Sequence, residues 1–164
     1  MTPLRWIVAI VALLRIAELL YAGRNTRRLL ARGGVEIAPA QYPWFVALHA
    51  AWLLSLLVFI PANTSPNWYL LGVFALAQVA RVWIIATLGN FWTTRVITLP
   101  GTPLVRHGPY RLLRHPNYLI VCIEIATLPL AFGAWSIALF FSLANGGLIA
   151  WRIRVEDAAL RARR

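Results

Sequence analysis

Trp68-Tyr-Leu-Leu-Gly-Val-Phe-Ala-Leu-Ala-Gln-Val-Ala-Arg-Val-Trp-Ile-Ile-Ala-Thr-Leu88 carries one charge, Arg81, and no helix breaker other than Gly72. A helix crossing a bilayer core needs about 20 mostly apolar residues, and this stretch meets that length. Four further apolar runs flank it: Leu4 to Ala22, Pro43 to Ile60 (stopped by Pro61), Asn117 to Phe132, and Ala134 to Trp151. Trp44, Trp68, Tyr69, Trp135 and Trp151 sit at the ends of runs, where amphipathic rings prefer the membrane interface. The last two runs are separated only by Phe132-Gly133-Ala134, and Pro129 and Gly133 make this a tight antiparallel hairpin. Arg15 and Glu18 interrupt the first run and no good small-residue cleavage site follows, so an uncleaved first helix is expected rather than a signal peptide. The expected fold is an all-α integral membrane bundle of about five spans, one domain over residues 1–164.

The composition agrees. The 164 residues are 60% hydrophobic and only 13% charged, beyond the range of ordinary soluble domains. The formal charge of +11 comes from sixteen arginines without a lysine. These lie between apolar runs, as in a protein facing an anionic leaflet, so neither nucleic acid nor an obligate protein partner is expected. Four arginines fall between Gly23 and Tyr42 (Arg24, Arg27, Arg28, Arg32) and four between Gly89 and Pro116 (Arg95, Arg106, Arg111, Arg114). Five fall in the tail (Arg152, Arg154, Arg161, Arg163, Arg164), whereas the opposite side carries Arg5 alone. The positive-inside rule predicts an external N-terminus and a cytoplasmic C-terminus, which an odd number of spans allows. The lone Cys122 has no internal disulfide partner.

Polar groups inside the runs are costly and must face the bundle interior, a water cavity or the interface. Arg15 and Glu18 are three apart and share a helix face. Glu124 is expected either to pair with Arg15 or Arg81 or to line a polar site, the buried ion pair being preferred. Arg81 alternatively snorkels toward the headgroups. His49 and Asn145 read as interhelical hydrogen-bonding groups.

Between the third and fourth runs, residues 100–118 are too polar to span and too patterned for a linker. Pro100-Gly101 and Gly108-Pro109 mark turns, and His115-Pro116 marks a helix start. That helix N-terminus, with Arg111, Arg114 and His115 beside it, suits a carboxylate or phosphate. A basic loop held against lipid headgroups is the plainer alternative.

Arg106-His-Gly-Pro-Tyr-Arg-x-x-Arg-His-Pro-x-Tyr118, followed by Arg154-Val-Glu-Asp-x-x-Leu160, resembles the isoprenylcysteine carboxyl methyltransferase family. Arg15-x-x-Glu18-Leu, Arg24-Asn25, Tyr42-Pro43 and Leu88-Gly-x-Phe-Trp-Thr-Thr-Arg95 extend the likeness over nearly the whole chain. The resemblance implies an S-adenosylmethionine-dependent enzyme that methylates a lipophilic substrate from the cytoplasmic side, and no metal. Carried over, it implies that His107, Gly108, Tyr110, Arg114, His115 and Tyr118 surround the cofactor, with Glu156 or Asp157 holding its ribose or amino group. The cofactor region then spans about residues 89–164. Arg114 and the helix start are suited to the cofactor carboxylate, and Arg95 or Arg114 to an acceptor oxyanion. The chain stops a few residues after Leu160, so it resembles the short bacterial members that O-methylate long-chain alkylpyrones or alkylresorcinols more than prenyl-protein methyltransferases. A bacterial cytoplasmic membrane is the expected location. Three other classes stay open: a membrane reductase using NADPH (sterol reductases resemble the same stretch), a non-catalytic lipid-binding protein, and a small transporter. Five spans without an internal repeat count against the transporter.

Overall fold

The computed structural model describes residues 2–160. Helix α1 runs Pro3–Ala31, α2 Tyr42–Phe59, α3 Trp68–Leu88, α4 Pro116–Ala131 and α5 Trp135–Leu160, with short strands β1 (Val35–Ile37) and β2 (Val96–Thr98) in the connections. Helices α1, α2, α3 and α5 are each long and apolar enough to cross a membrane. Helix α4 has 16 residues and is a shorter apolar helix packed against α3 and α5. The protein is thus an all-α integral membrane bundle, four full-length spans plus one short helix. Its outer surface is the apolar one: Leu20, Phe59, Leu76 and Phe140 are exposed, while Leu56, Ile125 and Leu128 are sealed inside.

Local chemistry sets the ends of these elements. Ile60 adopts an extended conformation before Pro61, which disfavours helix in the residue preceding it. Asn67 caps α3, its side-chain oxygen accepting from the backbone N–H of Tyr69 at 3.0 Å and of Leu70 at 3.2 Å. Gly133, at φ +71°, ends α4 and lets α5 begin two residues later. Two helices outrun their apolar stretches. Helix α1 continues nine residues past Ala22; at 1.5 Å per residue it is about 43 Å long, against about 30 Å of hydrocarbon. Helix α5 continues past Trp151, so Arg154–Leu160 is its last turns and not a separate tail. No proline interrupts either extension and the only glycine is Gly23 in α1, and charge alone ends a membrane span without ending a helix.

The strands were not foreseen. They pair antiparallel, Val35 opposite Thr98 and Ile37 opposite Val96, and so fasten the α1–α2 connection to the α3–α4 connection. Helix α5 also touches both strands. The described parts of the three arginine-rich stretches therefore gather at one end of the bundle.

Arginine asymmetry predicts that this end faces the cytoplasm. With Cys122 replaced by Ser, a membrane-impermeant thiol reagent should label Asn63→Cys from outside intact cells. It should reach Arg154→Cys only after permeabilisation. Labelling of both from one side would overturn the topology.

The charged residues within the spans form one network. The Arg81 guanidinium grips Glu124 with both Nε (2.8 Å to Oε1) and Nη2. Gln78 donates to the same Oε1 at 2.6 Å. Arg15 donates to Glu18 at 2.9 Å, to the Gln78 amide oxygen at 2.7 Å, and to Glu124 at 3.5 Å. Arg81 Nη1 also lies 3.6 Å from Glu18. Two positive and two negative charges therefore cancel where α1, α3 and α4 meet. The structure uses both candidate partners of Glu124, with Arg81 bidentate, and Arg81 does not snorkel. Asn145 on α5 reaches Cys122 on α4 at 3.7 Å. His49 departs from expectation: its bond is to its own helix.

Candidate active site

A cavity of 920 Å³ opens at the arginine-rich end, near the top of the roughly 300–1,000 Å³ usual for small-molecule sites. Its floor is the start of α4 and the last turns of α5. Pro116 occupies the first helical turn, where its missing N–H costs nothing, and no side chain caps the helix. Asn117 and Tyr118 from that turn, and Arg114 and His115 just before it, line the cavity.

On this floor Tyr118 donates its hydroxyl to the Glu156 carboxylate. The His115 and Tyr118 rings stack with centroids 5.3 Å apart. His115 Nδ1 is 3.8 Å from Glu156, and its Nε2 is 3.5 Å from Asp157. Arg152 donates from Nε to the Tyr118 hydroxyl at 3.1 Å and from Nη2 to the Thr94 carbonyl at 2.8 Å. Its guanidinium lies over the Phe45 ring of α2 at 5.1 Å. One arginine thus joins α5, α4, the α3–α4 connection and α2. Tyr110 adds a phenol to the wall; burial pushes its pKa up, and the Glu156 charge adds to this, so it stays a protonated donor.

Of the residues expected at the site, Arg95, Tyr110, Arg114, His115, Tyr118 and Glu156 line this one cavity. His107, Gly108 and Asp157 do not. His107 is exposed before the turn at Gly108–Arg111. Gly108 has φ +57°, and a Cβ there would stand 2.8 Å from the Thr87 hydroxyl, so this glycine lets the turn dock on α3. Asp157 stands behind His115. Arg95 reaches the cavity but is held by both Glu36 oxygens, at 2.9 and 3.0 Å, with its guanidinium 4.3 Å above the Tyr42 ring. Arg106, Arg111 and Arg114 also line the cavity, and none makes an ion pair among the described residues. A cationic rim is left for an anionic guest.

Sequence reasoning missed Arg152 by counting it as tail charge. Its spacing from Glu156 held the signal: residues four apart share a helix face, once α5 is allowed to continue.

The cavity has a second arm. The same cavity is lined from α1 and α2 by Ile16, Leu19, Phe45, Val46 and Leu53, and by the charged Arg15, Glu18 and Arg81. A polar floor and an apolar arm thus form one continuous space.

Residues 70–162 match the family described as Isoprenylcysteine carboxyl methyltransferase (ICMT) family. The chain is 35% identical over 158 residues to Uncharacterized protein YpbQ of Bacillus subtilis (strain 168), covering 94% of each chain. It is 26% identical over 161 residues to an uncharacterized protein of Haemophilus influenzae, covering 93% of this chain and 91% of that one. No solved structure matches the chain.

Proposed function

The chain belongs to the isoprenylcysteine carboxyl methyltransferase family and is a membrane methyltransferase, and we propose that it methylates an oxygen of a lipophilic, long-chain or prenylated small molecule with S-adenosylmethionine. The continuity of the polar floor with the apolar arm between α1 and α2 carries this reading. A long-chain acceptor enters sideways from the bilayer and meets a water-soluble donor at the cytoplasmic mouth.

The donor set fits that cofactor. Arg114, at the uncapped start of α4 and without an ion pair among the described residues, suits its carboxylate. Glu156 accepts from ribose hydroxyls or the ammonium. Tyr110, His115 and Tyr118 offer aromatic faces and donors around them. When bound, the cofactor supplies a methyl group on a sulfonium sulfur. The chain contributes alignment and exclusion of water: Arg152 ties the floor to α2, and strand β2 adds Val96 and Ile97 to the cavity wall. Arg95, braced by Glu36 and Tyr42, supplies fixed positive charge where an acceptor oxyanion forms. The partners in this reading are that small molecule and the surrounding lipids, with the N-terminus outside and the site facing the cytoplasm of a bacterial inner membrane.

Purified protein should bind S-adenosylhomocysteine; binding of NADPH instead would mark a reductase, and binding of neither a lipid-binding protein. Arg114→Lys distinguishes a cofactor clamp from a headgroup anchor. A point charge serves a headgroup, whereas a planar bidentate clamp needs the guanidinium. Losing one charged hydrogen bond costs about 1.5–3 kcal/mol, roughly ten- to a hundredfold in affinity. The Lys variant is expected to lose S-adenosylhomocysteine affinity and methyl transfer on that scale, with detergent melting unchanged. Wild-type affinity would remove Arg114 from the site.

A further inference from the structure

We propose that His49 is the proton acceptor for the methyl-accepting oxygen when that oxygen arrives as an O–H group. The inference rests on the methyltransferase reading and adds a catalytic residue to it.

His49 lines the cavity arm from α2. Its Nδ1 bonds the Phe45 carbonyl at 2.8 Å. A carbonyl oxygen only accepts, so Nδ1 carries the hydrogen and the neutral ring keeps its lone pair on Nε2. Among the described residues no group hydrogen-bonds Nε2. The chain has thus fixed the tautomer that presents a base.

Its place suits the task. Phe45 lies under the Arg152 guanidinium, and Arg152 holds the Tyr118 hydroxyl on the cavity floor. His49 is one helical turn further along α2, about 5.4 Å deeper. It therefore stands along the apolar lining contributed by α2, between Phe45 near the polar floor and Leu53 further along the helix. The charged groups on neighbouring helices are Arg15 and Glu18 from α1, Arg81 from α3, Glu124 from α4, and Arg152 from α5, whose guanidinium lies over Phe45 one turn away. Arg15 pairs with Glu18 and Arg81 with Glu124, so the charge of these four is balanced on the α1–α3–α4 side of the ring.

A carboxylic acid is already ionised at neutral pH and needs no base; a phenol, with a pKa near 10, does. In the proposed step the acceptor O–H bond breaks, its electron pair stays on oxygen and the proton passes to Nε2. The oxyanion is then the nucleophile for the methyl group. The imidazolium afterwards returns its proton to water through the same cavity.

The test uses a nitrophenol bearing a long alkyl chain, added to the detergent-solubilised protein without cofactor. Its phenolate absorbance should appear on wild-type protein at a lower pH than on His49→Gln. In turnover, His49→Gln should lower the rate on an alkyl phenol by about 10²- to 10⁴-fold, the usual worth of a general base. Raising the pH should recover it, while S-adenosylhomocysteine affinity stays at the wild-type value. If the Gln variant fails to fold, isotope-edited NMR of the wild type reads the same event. Of the three histidines, the His49 signal alone should become imidazolium as the probe binds. Identical phenolate titrations in wild type and variant, or a His49 signal unmoved by the probe, would overturn the proposal. The probe measurement needs no methyl donor, and the S-adenosylhomocysteine titration alone judges the methyltransferase reading.

Discussion

Glu124→Ala should destabilise the bundle by about 3–5 kcal/mol, the cost of leaving a buried charge without its partner. Glu124 and Arg81 are each 4% exposed, at the centre of the network joining α1, α3 and α4. Removing the carboxylate leaves Arg15 and Arg81 facing Glu18 alone, one net positive charge in an apolar interior. The Gln78 amide also loses its acceptor, formerly 2.6 Å away. The double variant Arg81→Met/Glu124→Leu behaves differently. It removes one charge of each sign, keeps the Arg15–Glu18 pair at 2.9 Å, and fills the space with apolar volume. It should recover most of the lost stability, because a buried pair is worth little more than well-packed apolar residues of similar size. Thermal unfolding in detergent checks both. A double variant as unstable as Glu124→Ala would mean that the network contributes through more than charge balance.

That network shows where sequence reading stops. That Arg15, Glu18, Arg81 and Glu124 must find partners follows from the price of charge in hydrocarbon. Which of them meet depends on the rotation of three helices about their axes, and no one-dimensional pattern states that rotation. The spans were legible because each is a long apolar run with aromatic ends, and Trp44, Trp68, Trp135 and Trp151 are indeed exposed at those ends. Strands β1 and β2 were not legible: three residues each, they exist only through pairing across some sixty positions of chain. The start of α4 was readable from His115-Pro116, and with it Arg114, His115 and Tyr118 at one mouth. His107 and Gly108 were placed there by motif alone. The glycine proves to serve packing against Thr87, a contact visible only once α3 and the loop are docked.

The last turns of α5 bear the other large effect. Glu156→Ala is expected to weaken S-adenosylhomocysteine binding roughly ten- to a hundredfold, the worth of about 1.5–3 kcal/mol in hydrogen bonds to a charged group. Glu156 accepts from the Tyr118 hydroxyl and lies 3.8 Å from His115 Nδ1, yet a quarter of its side chain stays exposed toward the cavity. It therefore has acceptor capacity left for a guest. The floor does not depend on it for shape. Arg152 still holds the Tyr118 hydroxyl at 3.1 Å and the Thr94 carbonyl at 2.8 Å, and the His115–Tyr118 stack needs no carboxylate. Melting in detergent should thus change little, in contrast to Glu124→Ala. Glu156→Gln separates two roles. An amide oxygen still accepts from ribose hydroxyls but offers no charge to an ammonium, so near-wild-type affinity in the Gln variant identifies hydroxyl binding, and a loss equal to that of Ala identifies the ammonium. Unchanged affinity in Glu156→Ala itself, measured by titration calorimetry, would take the carboxylate out of the cofactor site and leave it as a brace for Tyr118.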